Sequence, residues 1–410
     1  MVKSWFKNIG PGPLIAAAFI GPGTVTVCTL AGVGFGFALL WAMVLSIFAT
    51  IVLQEMSARL GIITQKGLSE IIRTEIKNPL IKFFTILLVI SAVFIGNAAY
   101  EAGNITGGVL GLETIVGNPS FIIGDFSINT LSLVIGFFAF VLLYLGNYKI
   151  LEKVLVGLVI LMSFAFLVTA VITQPSILEI LKGMWIPQFP KDSLLLVIAL
   201  IGTTVVPYNL FLHAALVKEK WKSKSDLQYA RKDTFVAVVL GGLVSMCIIV
   251  SAAAIPSEGI KNATDLAKGL EPLFGGLSTY FLAIGLFSAG ITSAITAPLA
   301  AAYVASGCLG WSTNMKTNKF RAVWMGVLVL GILFSSLGIK PIDIIKFAQI
   351  ANGMLLPVIA WILIWIMNKE SVLGSYKNNI KHNVFGVFIL GISILLSIAT
   401  INKVFNLNLF

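Results

Sequence analysis

The sequence is poor in charge, and it lacks the cysteine and histidine patterns of disulfide-stapled or metal-binding domains. Only 11% of its 410 residues are charged, whereas a soluble domain carries about 25%, so the chain cannot cover a water-facing surface. Its three cysteines are odd in number and form no CxxC pair, and it has only two histidines. It contains no HExxH motif, P-loop, nucleophile elbow or pair of catalytic carboxylates. These absences argue against a secreted scaffold, a zinc domain and an enzyme.

Hydrophobic residues dominate instead. They make up 58% of the sequence, the mean hydropathy is +0.99, and they fall in stretches of about 20 residues, the length that spans a bilayer as a helix. The first stretch continues past Pro22 without a cleavage site, so we interpret it as a spanning helix and not as a signal peptide. The eleven apolar segments are, approximately, residues 12–31, 35–57, 80–104, 129–147, 150–173, 194–217, 233–255, 279–308, 321–338, 345–367 and 384–402. We therefore expect an all-α integral protein of the lipid bilayer, in the plasma (bacterial inner) membrane.

The net charge of +11 is explained by membrane topology. Most of the 28 lysine and arginine residues flank the segment ends on one side. By the positive-inside rule this side is cytoplasmic, which places the N-terminus in the cytoplasm and the C-terminus outside. Because this placement accounts for the charge, no nucleic-acid partner is expected. The densest basic cluster comprises Lys218, Lys220, Lys222, Lys224, Arg231 and Lys232.

One cytoplasmic connection, residues 61–78, mixes isoleucines and a leucine with charged residues. This pattern predicts an amphipathic helix that lies along the cytoplasmic face of the membrane and anchors its apolar side in lipid.

Two spanning segments are interrupted at mid-membrane depth. The first reads Gly-Pro-Gly-Thr at residues 21–24, and the sixth reads Val-Pro-Tyr-Asn at residues 206–209. Proline removes a backbone donor and clashes with the preceding turn. Unpaired backbone is tolerated at this depth only where it faces protein or a wet cavity. Both segments are therefore predicted to be broken helices.

The positions of the two breaks indicate a repeat. Segments 1 and 6 each open a set of five helices, and an odd number of spans inverts the second set relative to the first. Paired interruptions in inverted repeats point to the central site of a secondary transporter. The predicted organisation is a first repeat over residues 1–173, a second over 174–367, and a peripheral eleventh helix over 368–410.

Several motifs, in order along the chain, carry a resemblance to a known family. They are Gly10-Pro11-Gly12-Pro13, the break at residues 21–24, Leu53-Gln54, Ala58 to Thr64, Val206 to His213, Ser288-Ala289-Gly290 with Thr292-Ser293, and Ala348-Gln349 before Pro357. The sequence resembles the NRAMP family of divalent-metal transporters over nearly its whole length. The resemblance implies the leucine-transporter fold and alternating access.

The sequence departs from the family at the positions that the resemblance makes functional. The family's first-helix motif is Asp-Pro-Gly-Asn, whose Asp and Asn bind metal, but this chain has Gly21 and Thr24 there. The family's sixth-helix motif is Met-Pro-His-Asn, and here Val206 and Tyr208 replace the methionine and the histidine. Ile90 and Val93 stand where the family carries acidic residues in its third helix.

The chain therefore lacks the aspartate carboxylate and the methionine sulfur of the family's site. The half-helix N-termini carry partial positive charge, so we expect the site to favour an anion. The leading expectation is therefore sodium-coupled import of a small inorganic anion, with bicarbonate first. An NRAMP-like carrier of magnesium or manganese and a sodium-coupled amino-acid carrier are the alternatives, and a non-transporting sensor has no direct support. The predicted substrate-binding residues are Gly21, Pro22, Gly23, Thr24, Val206, Pro207, Tyr208, Asn209, Gln349 and Asn352.

Other intramembrane polar residues are candidates for coupling. The resemblance to sodium-coupled relatives of the fold suggests a sodium site at Thr292 and Ser293, although such hydroxyls also bond to their own helix. No other cofactor is expected. Asn97, Glu101 and Asn104 share one helical face, and Glu101 is interpreted as a proton relay, a sodium ligand or a vestibule residue. His213 is either a proton site or, by preference, a buried hydrogen-bonded histidine.

Overall fold

The computed structural model describes residues 20–123, 126–146, 149–255, 260 and 262–405. The Gly-Pro-Gly-Pro motif and the start of the first predicted span lie outside these residues. The described chain is helical apart from one antiparallel hairpin, in which β1 (Ser120–Ile123) pairs with β2 (Phe126–Asn129), Ser120 opposite Asn129.

The helices coincide with the predicted segments. Nine stretches of the described chain are long and apolar enough to cross a membrane, and α1 and α5 are shorter apolar helices. The sixth segment is split between α8 and α9, as predicted. The helices are α1 (Pro22–Phe35), α2 (Leu40–Thr64), α3 (Leu68–Glu75), α4 (Pro79–Val116), α5 (Thr130–Leu145), α6 (Lys149–Ile172), α7 (Ile177–Trp185), α8 (Leu194–Thr204), α9 (Pro207–Lys220), α10 (Leu227–Ala252), α11 (Ala263–Ala267), α12 (Glu271–Phe274), α13 (Ser278–Leu309), α14 (Asn318–Ser336), α15 (Pro341–Met367), α16 (Glu370–Leu373) and α17 (Ile380–Phe405).

The long helices α4 and α13 pack against each other at the centre of the bundle. Their backbones approach so closely that a Cβ on Gly290 would lie 2.8 Å from the Gly108 backbone. A second close contact places Gly111 against the carbonyl oxygen of Ala283. Small residues allow this approach in a bilayer, where helices associate by close packing and not by the hydrophobic effect.

The amphipathic helix α3 lies where the sequence predicts a helix, but its apolar side does not face lipid. Leu68, Ile71 and Ile72 are buried in the protein core. Gly307 of α13 permits this close packing, because a Cβ there would lie 2.1 Å from Ser69 Oγ. Arg73 Nε also donates to the Gly307 carbonyl at 3.1 Å. The prediction of a lipid anchor was therefore wrong.

Candidate functional site

The break between α8 and α9 has the local geometry that its sequence predicts. Helix α8 ends at Thr204, Val206 is extended, and Pro207 opens α9 in the first-turn position where its missing N–H costs no hydrogen bond. The Val205 amide still bonds to Ile201, and the Asn209 amide bonds to Val206. At the first break, Gly21 is extended and Pro22 opens α1, while the preceding part of that span lies outside the described residues.

The start of α1 contacts α4, α15 and α8. Pro22 fills the space beside Gly107 of α4, and a Cβ on Gly23 would lie 2.1 Å from Gln349 Nε2 of α15. The hydroxyls of Thr24 and Thr203 are 2.5 Å apart, which joins α1 to the end of α8. The structure brings five of the predicted substrate-binding residues to these contacts: Gly21, Pro22, Gly23, Thr24 and Gln349.

An aromatic pair forms another side of the site. The Tyr208 ring on α9 packs edge-on against the Tyr100 ring of α4, with centroids 5.5 Å apart. Tyr100 also lies close to Gln349. Neither Tyr100 nor Thr203 was predicted from the sequence, although Tyr100 precedes Glu101 and Thr203 stands just before the second break.

Several buried polar atoms here have no hydrogen-bond partner among the described residues. They are Oδ1 and Nδ2 of Asn209, Oε1 of Gln349, Nδ2 of Asn352 and Oγ of Ser293. Buried polar groups in folded proteins are nearly always hydrogen-bonded. Such a group of unpartnered atoms beside a helix break therefore indicates a place built for a polar ligand or for ordered water.

His213 lies one turn beyond Asn209 and is held by two neighbouring helices. Its Nδ1 is 2.7 Å from Gln54 Oε1 of α2, and its Nε2 is 3.5 Å from the Thr234 hydroxyl of α10. The side chain is fully buried. It therefore occupies a hydrogen-bonded position behind the break.

The Asn97, Glu101 and Asn104 face of α4 turns away from Tyr208. Asn97 donates to the Ala297 carbonyl of α13 at 2.8 Å, and Asn104 donates to Glu101 Oε2 at 3.4 Å. A Cβ on Gly331 of α14 would lie 2.4 Å from Glu101 Cγ. Because successive residues of a helix are about 100° apart, Tyr100 can face the break while Glu101 faces α14. Its role in coupling stays a prediction.

The hydroxyls of α13 divide into two kinds. Ser288, Thr292 and Thr296 each donate to the carbonyl four residues earlier, at 2.8 to 2.9 Å. Ser293 has no such bond, and a Cβ on Gly21 would lie 2.9 Å from its Oγ. Of the two proposed sodium ligands, only Ser293 is thus placed at the first break by these contacts, and the sodium site stays a prediction.

Comparison with known proteins identifies the family. Residues 12–403 match the family described as natural resistance-associated macrophage protein-like. The chain belongs to the NRAMP family. This NRAMP protein is 26% identical to a protein of Verminephrobacter eiseniae, covering 90% of this chain and 83% of the relative. It is also 26% identical to a protein of Bacillus subtilis, covering 90% and 86%. Both relatives are named divalent metal cation transporter MntH.

Solved structures agree on the fold. The Eremococcus coleocola manganese transporter superimposes with a TM-score of 0.76 at 20% identity, covering 98% of this chain and 87% of that one. The nucleobase-cation-symport-1 family transporter Mhp1 superimposes with a TM-score of 0.54 at 14% identity, covering 96% and 93%. The predicted leucine-transporter fold is confirmed, and the predicted break in helix 6 lies between α8 and α9.

The prediction of bicarbonate or another small anion as substrate was wrong, because the relatives are named as carriers of divalent metal cations. The half-helix N-termini are not the only helix ends with partial charge at this site. Helix α8 also ends at the break, and the last carbonyls of a helix lack intrahelical partners and carry partial negative charge. In the described part of the chain, no group of three or more His, Cys, Asp or Glu side chains could hold a metal ion.

Proposed function

We propose that this NRAMP protein is a secondary transporter that carries a divalent metal cation across the membrane by alternating access. The observation that supports the proposal is the set of unpartnered amide and hydroxyl oxygens beside the break between α8 and α9. The names of its relatives supply the substrate class.

Neutral oxygens are the ligands that these residues offer. Asn209 Oδ1, Gln349 Oε1 and the Tyr208 hydroxyl can face a hard cation, together with the carbonyls at the end of α8. Magnesium and manganese accept such ligands, and magnesium usually keeps several waters. The amide groups of Asn209 and Asn352 can donate to other polar atoms in the site. The proposed substrate is therefore a hard divalent cation, magnesium or manganese, with part of its water shell.

We also propose how the chain is divided into repeats and how it is oriented in the membrane. The two inverted repeats cover residues 1–173 and 174–367, and residues 368–410 add the peripheral helix α17. The N-terminus lies in the cytoplasm and the C-terminus outside, because the lysine-rich ends of the helices belong on the cytoplasmic side.

The test is metal uptake into proteoliposomes that contain a dye sensitive to manganese or to magnesium. Wild-type protein should take up at least one of these ions faster than protein-free vesicles do. Asn209→Ala and Gln349→Ala should each lower the initial rate about tenfold or more, because an interaction between a polar group and a charge contributes about 1.5–3 kcal/mol.

Gln228→Ala is the matched control, because Gln228 is exposed on α10; its uptake should equal that of the wild type. Wild-type uptake no faster than in protein-free vesicles, for both metals, would overturn the proposed function.

A further inference from the structure

The end of α9, the turn after it and the start of α10 carry six basic side chains, and three of them have no ion-pair or cation–π partner among the described residues. Lys218 pairs with Glu70 at 3.7 Å, Arg231 pairs with Glu55 at 2.8 Å, and Lys224 stands 5.8 Å above the Tyr376 ring. The other three lysines are exposed and form no ion pair with a described residue. They are Lys220, Lys222 and Lys232, and we call them the free lysines because they lack an ion pair, although Lys222 Nζ donates to the Lys218 carbonyl at 2.6 Å.

The free lysines stand at the end of a lipid-facing surface. Helix α10 exposes Phe235, Leu240 and Leu243, and in a membrane protein such a stripe faces the acyl chains. Lys232 precedes Phe235 by three residues and therefore lies on the same side of α10. A lysine at this position extends its ammonium group to the headgroup level. Tyr229, 40% exposed at the start of the helix, is of the type found at membrane interfaces.

The backbone beneath these lysines is held in place. Trp221, Leu227 and Ala230 pack in one cluster with Ala58 and Ile62 of α2. Gln65 Nε2 donates to the Trp221 carbonyl at 3.2 Å, and a capping box formed by Ser223 and Asp226 fixes the short turn before α10. Because the turn is already ordered, binding there loses little conformational entropy.

We propose that the free lysines, with Tyr229, bind the phosphate headgroups of anionic phospholipids. Charge complementarity selects an anionic partner, and basic clusters next to a spanning helix attract anionic lipids. The adjoining lipid-facing stripe favours a phospholipid over a soluble anion. Bound lipid would stabilise the packing of the turn on α2, at the end of the helix that begins with Tyr208 and Asn209.

The test is thermal unfolding of the full chain in nanodiscs of phosphatidylcholine alone or mixed with phosphatidylglycerol. The anionic lipid should raise the Tm of the wild type. The variant with Lys220→Gln, Lys222→Gln and Lys232→Gln should lose at least half of that increase, and Lys232→Gln alone should lose part of it. Soluble glycerol phosphate added to phosphatidylcholine nanodiscs should give no increase.

The matched control carries Lys182→Gln, Lys191→Gln and Lys340→Gln, three exposed lysines at the opposite end of the bundle. It removes the same charge and should keep the full increase in Tm. Equal loss in both triple variants, or an equal increase with soluble glycerol phosphate, would overturn the proposal. The measurement does not depend on transport, so its outcome is independent of the proposed function.

Discussion

At the scale of single residues, glycines decide how close the helices come around the site. Gly23 gives space to the Gln349 side chain, and Gly107 gives space to Pro22. Gly202 of α8 approaches α15 most closely, because a Cβ there would lie 1.9 Å from the Gln349 carbonyl oxygen and 2.8 Å from the Gly353 amide. These are backbone atoms, which cannot turn aside as a flexible side chain can.

We expect Gly202→Ala to lower the free energy of unfolding by about 3 kcal/mol, the upper range for an overpacked core. Gly391→Ala is the control, since nothing lies within 4 Å of a Cβ at that position in α17, and it should raise stability by up to about 1 kcal/mol. Thermal and denaturant unfolding in micelles measures both. Equal stability of the two variants would contradict the close approach of α8 and α15.

At the scale of elements, α2 positions the half-helix α9. Gln54 contacts His213, the Ser57 hydroxyl donates to the Leu210 carbonyl, and Gly61 lies against the Ala214 carbonyl. Three contacts spaced along both helices hold them together. Since Tyr208 and Asn209 lie in the first turn of α9, the placement of α2 fixes that side of the site.

Helix α2 is itself tied to the connection between α15 and α17. Arg59, 2% exposed, donates to the Tyr376 carbonyl at 2.9 Å and to Asn378 Oδ1 at 2.7 Å, and it pairs with Glu55 at 3.2 Å. Glu55 also pairs with Arg231 of α10 at 2.8 Å. The buried Arg59 guanidinium thus joins α2 to the connection between α15 and α17, and Glu55 extends the contact to α10.

Arg59→Met is expected to lower the free energy of unfolding by about 3 kcal/mol, because it breaks a buried pair and leaves two acceptors without their donor. Arg231→Gln removes a half-exposed partner of the same carboxylate and should cost less than about 1 kcal/mol. Denaturant unfolding compares the two variants. If Arg231→Gln proves as damaging as Arg59→Met, Arg59 does not tie the connection to α2.

At the scale of the whole molecule, basic side chains gather at one end of the bundle. Most of the lysines and arginines lie in or beside the connections α2–α4, α9–α10, α13–α14 and α15–α17, and the opposite end carries few. The hydrophobic sides of the helices do not distinguish the two ends. Orientation in the membrane is therefore expected to follow this asymmetry.

Cysteine labelling tests the orientation. In a background without Cys28, Cys247 and Cys308, a membrane-impermeant maleimide should label Lys191→Cys in intact cells and Lys222→Cys only after permeabilisation. Both lysines are exposed, so accessibility depends on the side of the membrane. The reverse pattern would contradict the proposed orientation.

Much of the architecture could be predicted from local sequence. The apolar segments matched helices, and Pro207 marked the break between α8 and α9, because helix length and proline geometry depend on nearby residues. The substrate class could not be predicted in this way. The N-termini of half-helices can be located in the sequence. The net electrostatic potential at the site also depends on the carbonyls of α8, and therefore on how the helix ends are arranged in space.

The sequence by itself determined the membrane-spanning character, the break between α8 and α9 and the family, since each depends on composition or on ordered motifs. Only the tertiary structure decided which side of each helix faces its neighbours. In the structure Tyr100 packs against Tyr208, and Glu101 lies beside Gly331. The hydroxyls of Thr24 and Thr203 are in contact, and the apolar side of α3 is buried. Helix rotation and close approach are set by packing between residues far apart in the chain, so a local pattern cannot specify them.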